Sequence, residues 1–191
     1  LDPVFNPLEK LIFRFIGIDP AKEMTWKQHL ITLLTINVIW FPLTMFILMN
    51  QDWLPLNPDK IPAMSPDLAF HSACAFITNC NQQHYSGETG MSYFSQLIIM
   101  FSLFFLPPSV ALAAMAAVFN ALRERTTQKL GNFYNYYVRS ITRVMLPVSF
   151  VTAIIFLFNG IPMTFEGAHT FTTLQGDIAH VARGPVAAFE S

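Results

Sequence analysis

Charge is scarce in this chain. Only 12% of its 191 residues are charged while 53% are hydrophobic, and mean hydropathy is +0.42. Soluble domains usually carry about 25% charged residues. A water-soluble core of this size needs that surface to stay dispersed, and a lipid-facing protein does not. A basic surplus is also missing. Net charge is −1, and neither a basic patch interleaved with aromatics nor a nucleic-acid fold motif is present, so nucleic acid is not an expected partner. There are two cysteines, Cys74 and Cys80, without CxxC spacing, and they read as reduced thiols packed among apolar neighbours. No Asp or Glu interrupts the long apolar runs, and His29, His71, His84, His169 and His180 are scattered. A membrane-embedded enzyme needs a carboxylate pair, a metal set or a nucleophile–base pair at depth. No catalytic site of the chain's own and no transition-metal site are therefore expected, and a lone histidine such as His71 reads as a packed or hydrogen-bonded residue. A signal-peptide arrangement is missing too, since charges recur every few residues up to Lys27. With Leu1 first and Ser191 falling inside a pattern, the chain reads as an internal piece of a longer protein.

What is present in quantity is uncharged sequence. Three stretches, 30–49, 89–122 and 144–165, lack any charge. A spanning helix needs roughly 20 mainly apolar residues, and the runs predict spans over about 29–49, 91–122 and 144–165. Lys10, Arg14, Lys22 and Lys27 precede the first. Arg123, Arg125, Lys129, Arg139 and Arg143 lie between the second and third, which leaves only Lys60 and Arg183 elsewhere. The positive-inside rule then makes an amphipathic lead-in (1–28) and a connection (123–143) cytoplasmic, with 50–90 and 166–191 outside. Trp26 and Trp53 flank opposite ends of the first span, where amphipathic rings favour the headgroup region. Pro42, Pro107-Pro108 and Pro147 each remove a helical hydrogen bond. A simple kink is the plain reading, and the doubled proline is the best candidate for a broken helix.

Between the first two spans lies a segment too short and mixed to cross. Ser65-Pro66-Asp67 reads as a helix start, with Ser at the N-cap, Pro at the first helical position and Asp on the positive dipole end. A helix over 66–77 rises roughly 15 Å, about half a bilayer. An abrupt polar stretch follows, Thr78-Asn79-Cys80-Asn81-Gln82-Gln83-His84-Tyr85-Ser86-Gly87-Glu88. The physical reading is a re-entrant loop whose short helix points its carbonyl end at the membrane centre. Such backbone is tolerated at depth only inside protein or beside a water-filled cavity, and its carbonyls favour a desolvated cation. No carboxylate lies in the turn, which suits a monovalent ion better than calcium. An ordinary polar outer loop is the alternative. Ser65-Pro66-Asp67-Leu68-Ala69-Phe70-His71-Ser72 is echoed at Gly184-Pro185-Val186-Ala187-Ala188-Phe189-Glu190-Ser191, which suggests a repeated helix–pore-loop–helix unit. The second unit would begin at 144–165 and lead through 166–191 to its own pore helix.

Several runs then add up to a family. Leu1-Asp2-Pro3, Glu23-Met24-Thr25-Trp26-Lys27-Gln28, Leu54-Pro55-Leu56-Asn57-Pro58, Ser65 to Phe70, Thr78-Asn79-Cys80-Asn81, Tyr85-Ser86-Gly87-Glu88-Thr89, Leu130-Gly131-Asn132 and Gly184-Pro185-Val186-Ala187 together resemble the KdpA family of potassium-transporting ATPase subunits. The resemblance runs end to end. It implies an all-α transmembrane fold of the potassium channel and transporter superfamily, in which pseudo-repeated units surround one ion path. It implies a cell (inner) membrane location in a bacterium or archaeon. It further implies potassium as the ion, ATP bound by a KdpB-like P-type ATPase partner, and KdpC-like and KdpF-like subunits. Thr78, Asn79, Cys80 and Asn81 correspond to the first filter segment, usually Thr-Asn-Thr-Asn, and Gln82 and Gln83 flank it. The sequence departs from the family pattern at Cys80 (usually Thr), Gln82 (usually Trp), His84 (usually Ser) and Pro107-Pro108. A thiol is a poor ligand for a hard cation, so Cys80 would offer only its carbonyl. A passive channel or symporter-type transporter of the same superfamily is the alternative.

Overall fold

In the computed structural model, which describes residues 2–80, 82–124, 129–181 and 183–185, helices dominate. They are α1 (Asp2–Ile16), α2 (Trp26–Met49), α3 (Pro66–Ile77), α4 (Tyr93–Arg123) and α5 (Phe133–Phe158). Helices α2, α4 and α5 are each long and apolar enough to cross a membrane, and only 17% of the apolar window of α2 and 6% of that of α5 is buried within the chain. Such faces suit hydrocarbon and do not suit water. The chain divides into two compact units, residues 1–39 with 105–149 and residues 40–104 with 150–191.

In the first unit, two short polar runs meet. At the start of α2, Gln28 Oε1 accepts from the Thr25 N–H at 2.8 Å and from the Thr25 hydroxyl at 3.2 Å, one half of a capping box. Thr25 also forms an antiparallel bridge with Lys129, and Met24 N–H donates to the Gly131 carbonyl at 2.7 Å. Asn132 then caps α5, its Oδ1 accepting from Asn135 N–H at 3.0 Å while its Nδ2 donates to the carbonyls of Lys22 and Asp19. Gly131 has φ +84°, and a Cβ there would lie 1.8 Å from the Tyr136 hydroxyl, so only glycine fits. Phe133, wholly buried, packs with Val110 and Ala113.

The buried charge in this unit is paired. Glu9 of α1 is 3% exposed. Arg143 grips it with two bonds, Nε to Oε1 at 2.6 Å and Nη2 to Oε2 at 2.9 Å. Thr142 Oγ1 donates at 3.0 Å, and Arg139 approaches at 3.4 Å. The Arg143 hydrogen bonds, with those of Thr142, outweigh the cost of burial and hold the Glu9 pKa below its ordinary value. The paired arginines lie within a helix whose local backbone is π-helical from Ile141 to Met145.

Here α5 departs from the expected bounds. It runs from 133 to 158, not 144 to 165. Pairing with Glu9 lets Arg139 and Arg143 enter the helix instead of ending it. Gly160, at φ +83°, closes the far end, with Ile161 N–H bonding back to the Phe156 carbonyl ahead of Pro162. A second departure is a two-stranded antiparallel hairpin, β1 (His169–Thr172) and β2 (Ile178–Val181), so the chain is mostly helical and not all-α. Its turn is closed by Thr173 N–H to the Asp177 carbonyl at 2.8 Å, with Gly176 at φ +93°.

Candidate functional site

Helix α3 and the segment after it belong to the second unit, whose buried core is Ile47, Leu48, Met64, Ala69, Phe76, Met91 and Ile99. Pro66 opens α3. Ser65 sits at the N-cap with extended backbone, yet its hydroxyl does not cap the helix. It bonds instead to the Asp67 carboxylate, which lowers that group's pKa.

The far end of α3 is closed by a Schellman motif. Thr78 N–H donates to the Cys74 carbonyl at 3.0 Å, Asn79 N–H to Phe76 at 3.1 Å and Cys80 N–H to Ala75 at 3.0 Å. Asn79 takes the left-handed conformation, φ +57°, that this motif demands and that Asn tolerates better than other non-glycine residues. The carbonyls of Cys74, Ala75 and Phe76 at the helix end therefore already accept hydrogen bonds. The Thr78 hydroxyl donates to the Cys74 carbonyl at 2.7 Å, which leaves its oxygen lone pairs turned outward as acceptors.

Thr78, Asn79 and Cys80 are all exposed in this chain. Cys80 is thus not the packed thiol its apolar neighbourhood suggested, because the bend lifts it off the end of α3, whereas Cys74 is half-buried. Asn81 falls outside the described residues, as does the repeat echo from Val186 to Ser191. Gln82 and Gln83 follow, and Gln83 Nε2 donates to the Tyr85 carbonyl at 2.8 Å. Behind the bend lies a cavity of about 30 Å³ bordered by Ser72, Phe76, Gln82, Gln83, Tyr85 and Phe104. That is room for one water molecule, and the Ser72 hydroxyl, buried beside it, has no protein partner. Burial also raises the Tyr85 phenol pKa.

Sequence reasoning missed the buttresses. Gln51, wholly buried, donates to the carbonyls of Pro62 (2.8 Å) and Gly90 (2.9 Å) and accepts from Ser92 N–H at 3.2 Å. Gln96 reaches the carbonyls of Gly87 and Met91. Asn57 ties Gln51 to Ile61. The available signal was a glutamine within or beside a long apolar run, where an unpaired amide is too costly to leave. Two of the five histidines also come together, His71 of α3 and His84 of the return segment, where the sequence suggested scatter.

The chain thus carries a short helix closed by a polar, carboxylate-free bend, and comparison with known proteins gives it a family. The family model for KdpA, described as a potassium-transporting ATPase subunit, matches residues 1–191. The chain belongs to the KdpA family. Curated KdpA relatives named potassium-transporting ATPase potassium-binding subunit include those of Flavobacterium johnsoniae, 57% identical over 99% of this chain and 33% of the relative, and Flavobacterium psychrophilum, 58% identical over the same shares. The Bacteroides fragilis relative is 44% identical over 95% of this chain and 32% of its own length. The chain thus spans about a third of the length of these KdpA relatives.

Proposed function

We propose that this chain is the part of a potassium-binding subunit that carries its first filter loop, within a pump that takes potassium from outside and passes it to an ATP-hydrolysing partner. The observation that carries this reading is the bend at Thr78–Cys80, which ends a half-length helix without any carboxylate in a chain of the KdpA family. Helices α2, α4 and α5 cross the membrane, with nine of the eleven basic residues on the cytoplasmic side and α3 re-entering from outside. Thr78, Asn79, Cys80 and Asn81 supply backbone and side-chain oxygens in place of the ion's water, while Ser65, Pro66 and Asp67 set the start of the pore helix. Gln82 and Gln83 flank the mouth. The exposure of the bend suits a segment whose remaining walls come from the other two thirds of the subunit. ATP hydrolysis falls to a KdpB-like partner, with KdpC-like and KdpF-like subunits completing the complex in a bacterial or archaeal cell membrane. The relatives' names, which carry an ATPase, favour this over a passive channel or symporter.

The test is Gln83→Arg in the complete complex, which places a fixed positive charge beside the mouth. Potassium-stimulated ATP hydrolysis should then need at least about tenfold more potassium while the subunits still co-purify. An unshifted potassium titration would refute the reading.

A further inference from the structure

His71 projects from the second turn of α3, and the return segment brings His84 onto it. The ring centroids are 4.3 Å apart, with the planes at 64°. His71 Nδ1 is sealed from solvent yet has no hydrogen-bond partner, while His84 is exposed. A buried ring nitrogen without a partner is costly, and the second imidazole cannot satisfy it through an edge-on ring contact alone. A metal ion bound at about 2.0–2.1 Å to one nitrogen of each ring, with the two nitrogens at a right angle about it, would hold the centroids roughly 4.5 Å apart, close to the separation present.

We propose that His71 and His84 form a binding site for a divalent transition metal ion beside the filter bend. Paired imidazoles select copper, nickel and zinc, with copper strongest. They do not select potassium, calcium or magnesium, which require oxygen ligands. Among the described residues, no group of three or more His, Cys, Asp or Glu side chains could hold a metal, so water on the exposed His84 side completes the coordination and binding is reversible, unlike a closed structural centre. The histidines are scattered in the sequence, and folding brings these two together. Resting on the potassium reading above, the functional consequence is inhibition. Two added positive charges, four residues on from Cys80, oppose a cation approaching the bend.

The decisive experiment uses Cu²⁺ alone, added to the purified full-length subunit in its complex, and reads the electron paramagnetic resonance spectrum. A signal with coupling to two imidazole nitrogens is expected, falling to one or none in His84→Ser and in His71→Gln. The same complex should lose potassium-stimulated ATP hydrolysis on addition of Zn²⁺, with at least about tenfold less sensitivity in His84→Ser. His84 is exposed, so that variant stays informative even where His71→Gln fails to fold. A wild-type spectrum without two-nitrogen coupling, or one unchanged in His84→Ser, overturns the metal site. So does inhibition by acid alone with no copper signal, which would mark a proton-binding pair. Absence of potassium stimulation in metal-free wild type would instead overturn the pump reading and leave the spectroscopic result standing.

Discussion

In residues 1–39 with 105–149, buried polarity includes charge: Glu9 is enclosed by Arg143, Arg139 and Thr142. In residues 40–104 with 150–191 the buried polar side chains among the described residues are Thr44, Gln51, Ser72, Ser92, Ser95 and Gln96, all neutral. The Glu9 cluster and the Gln51 and Gln96 amides are hydrogen-bonded, whereas the Thr44 and Ser72 hydroxyls have no protein partner, and the two kinds of bonded group respond to different conditions. A carboxylate–guanidinium cluster is strong and pH-dependent, whereas amides bonded to backbone carbonyls are indifferent to pH. For the potassium-accepting loop proposed above, neutral buttresses have a further merit. They leave no fixed charge near the bend to trap the ion or repel it.

The largest expected effect lies on the neutral side. Gln51→Leu would leave Ser92 N–H and the Pro62 and Gly90 carbonyls unsatisfied, at about 1–3 kcal/mol for each buried group. The full-length protein should unfold at clearly lower denaturant, and its apparent potassium affinity should fall with it. An unchanged midpoint would mean that water replaces the amide. Second comes Glu9→Gln, which leaves Arg143 with only the exposed Asp2 as an anionic partner and should cost up to about 3 kcal/mol, read as a lower melting temperature in detergent.

Acid offers a way to separate the units without mutation. Because the folded Glu9 pKa is depressed, its contribution is fully present above the ordinary carboxylate value near 4.5 and is lost as pH falls through the lowered one. Hydrogen exchange on acidification, corrected for the intrinsic pH dependence of exchange, should therefore rise first around α1 and the Thr142–Arg143 turn, with residues 51–64 protected. Simultaneous loss in both units would erase the contrast. Smaller again is Gln28→Ala, which removes the acceptor of the Thr25 N–H and hydroxyl at a cost of about 1 kcal/mol, seen as faster exchange in the first turn of α2. The smallest is Asn79→Gly, which keeps the left-handed bend and should change stability by only a few tenths of a kcal/mol. Asn79→Val should cost at least about 1 kcal/mol more, since β-branching opposes positive φ.

Much of the helical plan was legible because its signals are local. Runs of uncharged residues mark α2 and α4, and Pro66 marks the first residue of α3. The start of α5 was misplaced because Arg139 and Arg143 look like solvent-facing charges until Glu9, far away in sequence, is seen to neutralise them. The β1–β2 hairpin was missed because its residues, His169-Thr170-Phe171-Thr172 and Ile178-Ala179-His180-Val181, are few, and apolar length was the guide there. At the site, the polar bend itself was readable from its abrupt change of composition. The Schellman closure was not, because it depends on the conformation of Asn79 and on which carbonyls the chain turns back to meet. The roles of Gln51 and Gln96 were hidden for the same reason: each amide bonds to backbone carbonyls that a residue-type pattern does not reveal.

The bridge between Thr25 and Lys129 carries a consequence for biogenesis. His29 and its partner Gly131 are 102 positions apart, so the N-terminal end of α2 has no docking partner while the ribosome is still translating α3 and α4. During that interval the far end of α2 can already pack, Ile47 and Leu48 against Met64, Ala69 and Phe76, while its N-terminal end stays undocked. Its register locks only when the Leu130-Gly131-Asn132 turn emerges, which makes that turn a late checkpoint in membrane assembly.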